Sequence, residues 1–225
     1  MREPKGLTIQ LESGATVSAR HYTSSAASSL GSTLILAHGA GAGQTHPWMV
    51  ARASALAARG LDVVTFNFPY MERRRRAPDS AAVLIACYAA VLTKVAAGTD
   101  GRVLVGGKSM GGRIATELGA ARPDENRLSG IVLLGYPLHP PGRPQQLRSA
   151  HLPSVRRPML FVQGTRDSFG TPSELQAELD RLAVSTTIHA VDDGDHSLIV
   201  KRGGRPQELV FDEVYEVILR WIAAL

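Results

Sequence analysis

The stretch Arg102-Val103-Leu104-Val105-Gly106-Gly107-Lys108-Ser109-Met110-Gly111 sets a serine between two glycines directly after a short apolar run. This is the G-x-S-x-G pattern of a nucleophile elbow, a sharp strand-to-helix turn that lifts a serine hydroxyl above the edge of a parallel sheet. Ser109 is therefore the candidate nucleophile. Larger side chains at the glycines would collide with the neighbouring strand and helix. Such a pattern also arises by chance in a glycine-rich chain, so an acid, a base and an oxyanion hole must be found elsewhere.

Working outward, Thr33–Ala37, Asp62–Phe66, Arg102–Val105, Gly130–Leu134, Pro158–Val162 and Thr186–Ala190 are short and mostly continuously apolar. Strands covered on both faces read this way, which predicts a central, mostly parallel sheet. Helical patterns lie between them. Pro47–Ala58 opens on a proline and stops before Gly60. Asp79 is expected to cap a helix through Val95, with Leu84, Tyr88, Val91, Leu92 and Val95 on its buried face. Thr171-Pro172-Ser173-Glu174 is a capping box that should start a helix running to about Ala183. Val210, Val214, Val217, Ile218, Trp221 and Ile222 form one stripe on a final helix. Leu7–Leu11 and Thr16–Arg20, on either side of Ser13-Gly14, predict an opening antiparallel hairpin. The whole reads as an α/β three-layer architecture in a single domain, residues 1–225. Between Gly135 and Arg157 five prolines predict an irregular excursion with at most one short helix and no large lid.

Composition narrows the class. A chain of 225 residues with 44% hydrophobic and 20% charged residues has the make-up of a soluble enzyme. One cysteine, Cys87, excludes an intramolecular disulfide and a cysteine-based zinc site, which fits a reducing cytoplasm. Met1–Gly6 is not followed by an apolar leader, and the longest apolar stretch, Ala81–Leu92, is too short to span a bilayer. Much of the net charge of +5 sits in Arg73–Arg76. With no aromatic interleaving or nucleic-acid motif beside it, this cluster reads as a solvated loop. Neither nucleic acid nor membrane is an expected partner, and the oligomeric state is left open.

A serine hydroxyl needs a base within hydrogen-bond reach and a third group to orient that base. His196, in the polar loop Asp193-Gly194-Asp195-His196-Ser197, is the best base. Asp167 emerges after the strand Met159–Gln163 at the same sheet edge and is the best acid. Asp195 is the nearest substitute. The order Ser109, Asp167, His196 is the one this motif calls for, and all three fall at carboxyl ends of strands. His189 reads as a packing residue, and His139 and His151 as surface residues of the proline-rich excursion. The backbone N–H of Met110 and that of Ala40, in the glycine-rich loop His38–Gly43, are the expected oxyanion donors. The same loop lacks the spacing of a nucleotide-binding loop. Asn67 and Tyr70, after another strand end, are expected to line the pocket.

Together, His38–Gly43, Phe66–Tyr70, Gly107–Arg113, Gly135–Gly142 and Gln163–Asp167 resemble the small, lidless α/β-hydrolases. Within them the chain looks most like the dienelactone-hydrolase-related group that includes testis-expressed-30-like proteins. The resemblance covers nearly everything from Thr33 onward and implies the same roles for Ser109, His196, Asp167, Ala40 and Met110. One departure is that dienelactone hydrolases proper use a cysteine nucleophile. The resulting expectation is a serine hydrolase for a small-molecule carboxylic ester with a small or medium acyl group, needing no metal or organic cofactor. The same residues also suit acyl transfer or perhydrolysis, and the fold can serve as an idle interaction module.

Overall fold

A computed structural model describes residues 3–24 and 29–225. The elements follow in the order β1 (Lys5–Gln10), β2 (Thr16–Tyr22), β3 (Ser32–Ala37), α1 (Pro47–Ala58), β4 (Asp62–Phe66), α2 (Pro69–Glu72), α3 (Ala81–Ala96), β5 (Arg102–Lys108), α4 (Met110–Ala121), β6 (Leu128–Leu134), a 3-10 turn (Leu152–Ser154), β7 (Met159–Gly164), α5 (Pro172–Leu179), β8 (Thr186–Val191) and α6 (Gln207–Ala223). The strands form one eight-stranded sheet in the order β1-β2-β4-β3-β5-β6-β7-β8. β1 and β2 are antiparallel to their neighbours, and β3 through β8 run parallel.

Alternation along the strands divides the core into two layers. Ile35, Val64, Val105, Leu133 and Phe161 pack with α3, α4 and α5 on one face. Their neighbours Leu36, Val63, Leu104, Val132 and Val162 pack with α1 and α6 on the other. Both faces are dry, which is why these strands carry no polar alternation.

β3 sits between β4 and β5, so the chain reverses its direction across the sheet between β3 and β5. Ala37 pairs with Gly107 there, and the loop after β3 and the turn after β5 leave side by side. Crevices at such a reversal are where open α/β sheets hold their ligands.

On its other side β5 runs close to β6, where a β-carbon on Gly106 would overlap the Val132 carbonyl oxygen. Tyr88, fully buried on α3, also reaches this point, where its hydroxyl accepts a hydrogen bond from the Gly106 N–H at 2.8 Å. Backbone cannot move aside as a side chain can. Gly106→Ala should therefore destabilise the fold by about 3 kcal/mol or more, read as a lowered urea midpoint. An unchanged midpoint would mean the strands can spread.

Several expectations need correction. Asp79 does not cap α3. It is taken up by ion pairs with Arg73 and Arg75, leaving Ser80 at the N-cap without a side-chain bond. α5 begins on the expected capping box but stops at Leu179, because the chain must reverse before β8 begins pairing at Thr186. As expected, the Gly135–Arg157 excursion is irregular and holds only the short 3-10 turn Leu152–Ser154. His139 within it is 5% exposed, not a surface residue, and His151 is held through Nε2 by the Thr116 hydroxyl at 2.7 Å. His189 on β8 packs beside α6, with Nε2 3.6 Å from Glu213. No helix among the described residues is long and apolar enough to cross a membrane.

Candidate active site

Ser109 stands between β5 and α4 with φ 53° and ψ −120°, a left-handed backbone that non-glycine residues rarely adopt. Such strain persists only where the surroundings enforce it. Here the Ser109 N–H donates to the Leu134 carbonyl at 3.1 Å, and a β-carbon on Gly111 would come within 2.5 Å of the Ala37 carbonyl oxygen. The helix is thus pressed against the end of β3, and the serine side chain is left pointing out of the turn.

His196 and Asp167 meet it from two later loops. The Ser109 hydroxyl lies 2.8 Å from His196 Nε2, and His196 Nδ1 lies 2.8 Å and 3.0 Å from the two carboxylate oxygens of Asp167. An ionised carboxylate only accepts, so Nδ1 carries the proton and Nε2 is left to accept from the serine. Asp167 is 2% exposed. Its charge is held there by the Phe169 N–H and by the Gln163 side-chain amide, each at 2.8 Å. Asp195, the substitute acid, is spent on the Ser197 and Ile199 N–H groups at 2.7 Å and 3.0 Å.

The loop that carries His196 is pinned from three sides. Lys108 Nζ donates to the His196 carbonyl at 2.5 Å, the Trp48 indole donates to the Ser197 carbonyl at 3.1 Å, and the Phe169 ring stacks on the imidazole at 4.2 Å between centroids. None of Gln163, Lys108, Trp48 or Phe169 has a role in the sequence reading. Gln163 left one trace, as the lone polar side chain in the strand Met159–Gly164.

The glycine-rich loop is braced from behind. His38 is fully buried, with Nδ1 2.7 Å from the Gly39 carbonyl and Nε2 accepting from the Phe68 N–H at 3.1 Å. Burial pulls its pKa down to about 4, so the ring is neutral. Tyr70 donates to the Ala40 carbonyl at 2.9 Å, and Asn67 accepts from the Gln44 N–H at 2.9 Å. Tyr70 and Asn67 therefore do not line the pocket as expected. They support the loop that does, Asn67 from just past the end of β4 and Tyr70 from α2. Among the described residues, the N–H groups of Ala40 and Met110 have no acceptor within the protein.

The pocket over Ser109 has a volume of about 290 Å³, walled by Trp48, Met49 and Phe169, with Ala40, Ser109 and His196 at its base. A larger groove of about 500 Å³ between β1 and α3 is floored by alanines and includes none of Ser109, Asp167 and His196.

His38 gives the site an acid limit. Between pH 6.5 and about 4 the unfolded chain takes up a proton that the folded chain refuses, so stability falls as pH falls through that window. The loss attributable to His38 reaches about 3 kcal/mol below pH 4. His151, also lowered to about 4 by burial, adds to it. His38→Gln should flatten the slope of unfolding free energy against pH by about one proton; identical slopes would show that His38 is not buried neutral.

A mostly parallel sheet, a strained serine at a strand-to-helix turn, and a histidine and carboxylate arriving from later strand ends define the α/β-hydrolase class. The chain belongs to that family: the family model described as alpha/beta hydrolase domain matches residues 31–223. Solved structures share the fold at low identity. A structure from Xanthomonas campestris, described as an α/β serine hydrolase without lid, is 20% identical with a TM-score of 0.76, covering 98% of this chain and 96% of that one. Dienelactone hydrolase from Anabaena variabilis is 17% identical with a TM-score of 0.74, covering 98% and 97%. Est1E from Butyrivibrio proteoclasticus is 14% identical with a TM-score of 0.74, covering 99% and 100%.

Proposed function

We propose that this chain is one catalytic domain, a serine hydrolase that cleaves carboxylic esters with small or medium acyl groups. The observation that carries this reading is the unbroken run of hydrogen bonds from Ser109 through His196 to Asp167. Ser109 attacks the ester carbonyl while Nε2 of His196 takes its proton. The negative charge on the carbonyl oxygen is met by the N–H groups of Ala40 and Met110, each such donor being worth about 3 kcal/mol. Collapse of the tetrahedral intermediate expels the alcohol, which receives the proton from His196. Water, activated by the same imidazole, then releases the acid from the acyl-enzyme.

The volume of about 290 Å³ and the apolar walls suit short acyl chains. The motifs that resemble dienelactone-hydrolase-related, testis-expressed-30-like proteins, together with serine at the nucleophile position, support placement beside that group with a substrate other than dienelactone. One neighbour is described as an esterase domain, and Est1E is described with ferulic acid bound. A panel of 4-nitrophenyl acetate, butanoate and dodecanoate tests the reading. Turnover should be fastest on the two short esters. Activity on none of them would overturn ester hydrolysis, and a preference for dodecanoate would overturn the short-chain assignment.

A further inference from the structure

The residue between the glycine and serine of the elbow is a lysine, and its side chain forms part of the pocket wall. Strand alternation sends Lys108 away from the Ser109 turn and along the glycine-rich loop. Its Cγ would lie 3.8 Å from a β-carbon on Gly39, and its Nζ 3.3 Å from one on Gly135. Nζ ends beside the His196 carbonyl and 6.0 Å from the centre of the Trp48 ring.

That ammonium has no direct ion-pair partner among the described residues. A carbonyl takes one of its three N–H donors and supplies no countercharge. Among the described residues no carboxylate forms an ion pair with it. The two carboxylates that act on it, Asp167 and Asp195, do so without contact: Asp167 accepts from His196 and Gln163, and Asp195 accepts through Oδ1 from two backbone N–H groups. Burial has already pulled its pKa down to about 8, against the upward pull of those two carboxylates. Lys108 is also the one lysine, arginine, aspartate or glutamate among the described residues that line the pocket. A partly buried cation with one carbonyl as its hydrogen-bond partner and a mainly apolar wall around it gains most from an anion that enters the same cavity.

We propose that Lys108 forms a recognition site for a carboxylate on the substrate, so that anionic esters are cleaved in preference to neutral ones of the same shape. This rests on the hydrolase reading and adds a substrate class to it. The carboxylate is carried either by the acyl group or by the leaving group, and two substrate pairs separate these sources. Monoethyl adipate against ethyl hexanoate places the anion on the acyl side; 4-acetoxybenzoate against its methyl ester places it on the leaving side.

For each pair the quantity read is the ratio of kcat/KM, anionic over neutral, in the wild type and in Lys108→Met. In one of the pairs this ratio should fall at least ten-fold in the variant, and Lys108→Arg should keep the preference for the anion. If Lys108 only holds the His196 carbonyl, kcat falls alike for both members of each pair and both ratios stay unchanged, which would overturn the proposal. A readout independent of turnover uses calorimetric binding of monoethyl adipate and of 4-acetoxybenzoate to Ser109→Ala protein. Adding Lys108→Met should weaken the favoured anion at least ten-fold, and equal affinities for both anions would overturn the subsite even if no ester is ever hydrolysed. Failure of all ester turnover, with anion binding intact, would instead remove the hydrolase reading and leave the subsite standing.

Discussion

Ser109→Ala protein is expected to lose about 10^4-fold or more in kcat on 4-nitrophenyl butanoate, with the fold and KM little changed. The size follows from the role. Without the hydroxyl no acyl-enzyme forms, and only the N–H groups of Ala40 and Met110 and the binding pocket still favour attack by water. The fold should survive, because the turn is held by the Leu134 carbonyl on the Ser109 N–H and by Gly111 pressed on β3, neither of which uses the side-chain oxygen. Full activity in this variant would mean that the reaction, if there is one, uses a different nucleophile.

The second large effect is expected from Asp167→Asn, a loss of about 10^3 to 10^4-fold in kcat with little change in KM. The carboxylate has 2% exposure and accepts from Phe169, Gln163 and His196 at once. An amide of the same shape offers one acceptor oxygen and one donor nitrogen. If the oxygen keeps the Phe169 N–H, the NH2 group faces His196 Nδ1 and turns the imidazole into the wrong tautomer, its proton on Nε2 toward the serine. The imidazolium formed during attack also loses its countercharge. Stopped-flow separation of acylation from deacylation should show both steps slowed, since both pass through the protonated ring. Unchanged acylation would assign Asp167 a purely structural place.

Much of this arrangement is legible in the sequence, for identifiable reasons. The mostly apolar runs locate β3 to β8 to within a few residues because the central strands are buried on both faces, where few polar side chains such as Thr65 and Gln163 are accommodated. Ser109, Asp167 and His196 are legible as a set because each follows a strand end, and parallel strands deliver their carboxyl ends to one rim. The structure brings those three within hydrogen-bonding distance.

What escapes the sequence is the support behind them. Gln163 clamps Asp167, and Lys108 and Trp48 hold adjacent carbonyls of the His196 loop, through contacts that span up to 149 positions along the chain. No local spacing encodes such contacts. Asn67 and Tyr70 show the opposite error. A polar residue after a strand end reads as pocket-lining, but the short α2 that starts at Pro69 turns Tyr70 under the glycine-rich loop, where its hydroxyl finds the Ala40 carbonyl. Asp79 reads as a helix cap by position alone, yet two arginines of the preceding turn reach it first.

We propose above all that Ser109 is a nucleophile activated by His196 and Asp167. Its most direct test is reaction of the folded wild-type protein with a fluorophosphonate, followed by mapping of the modified residue by mass spectrometry. One equivalent of label is expected, located on Ser109, and none on His196→Ala protein over the same time. Intact, folded protein that stays unlabelled, or label on any other residue, would contradict it.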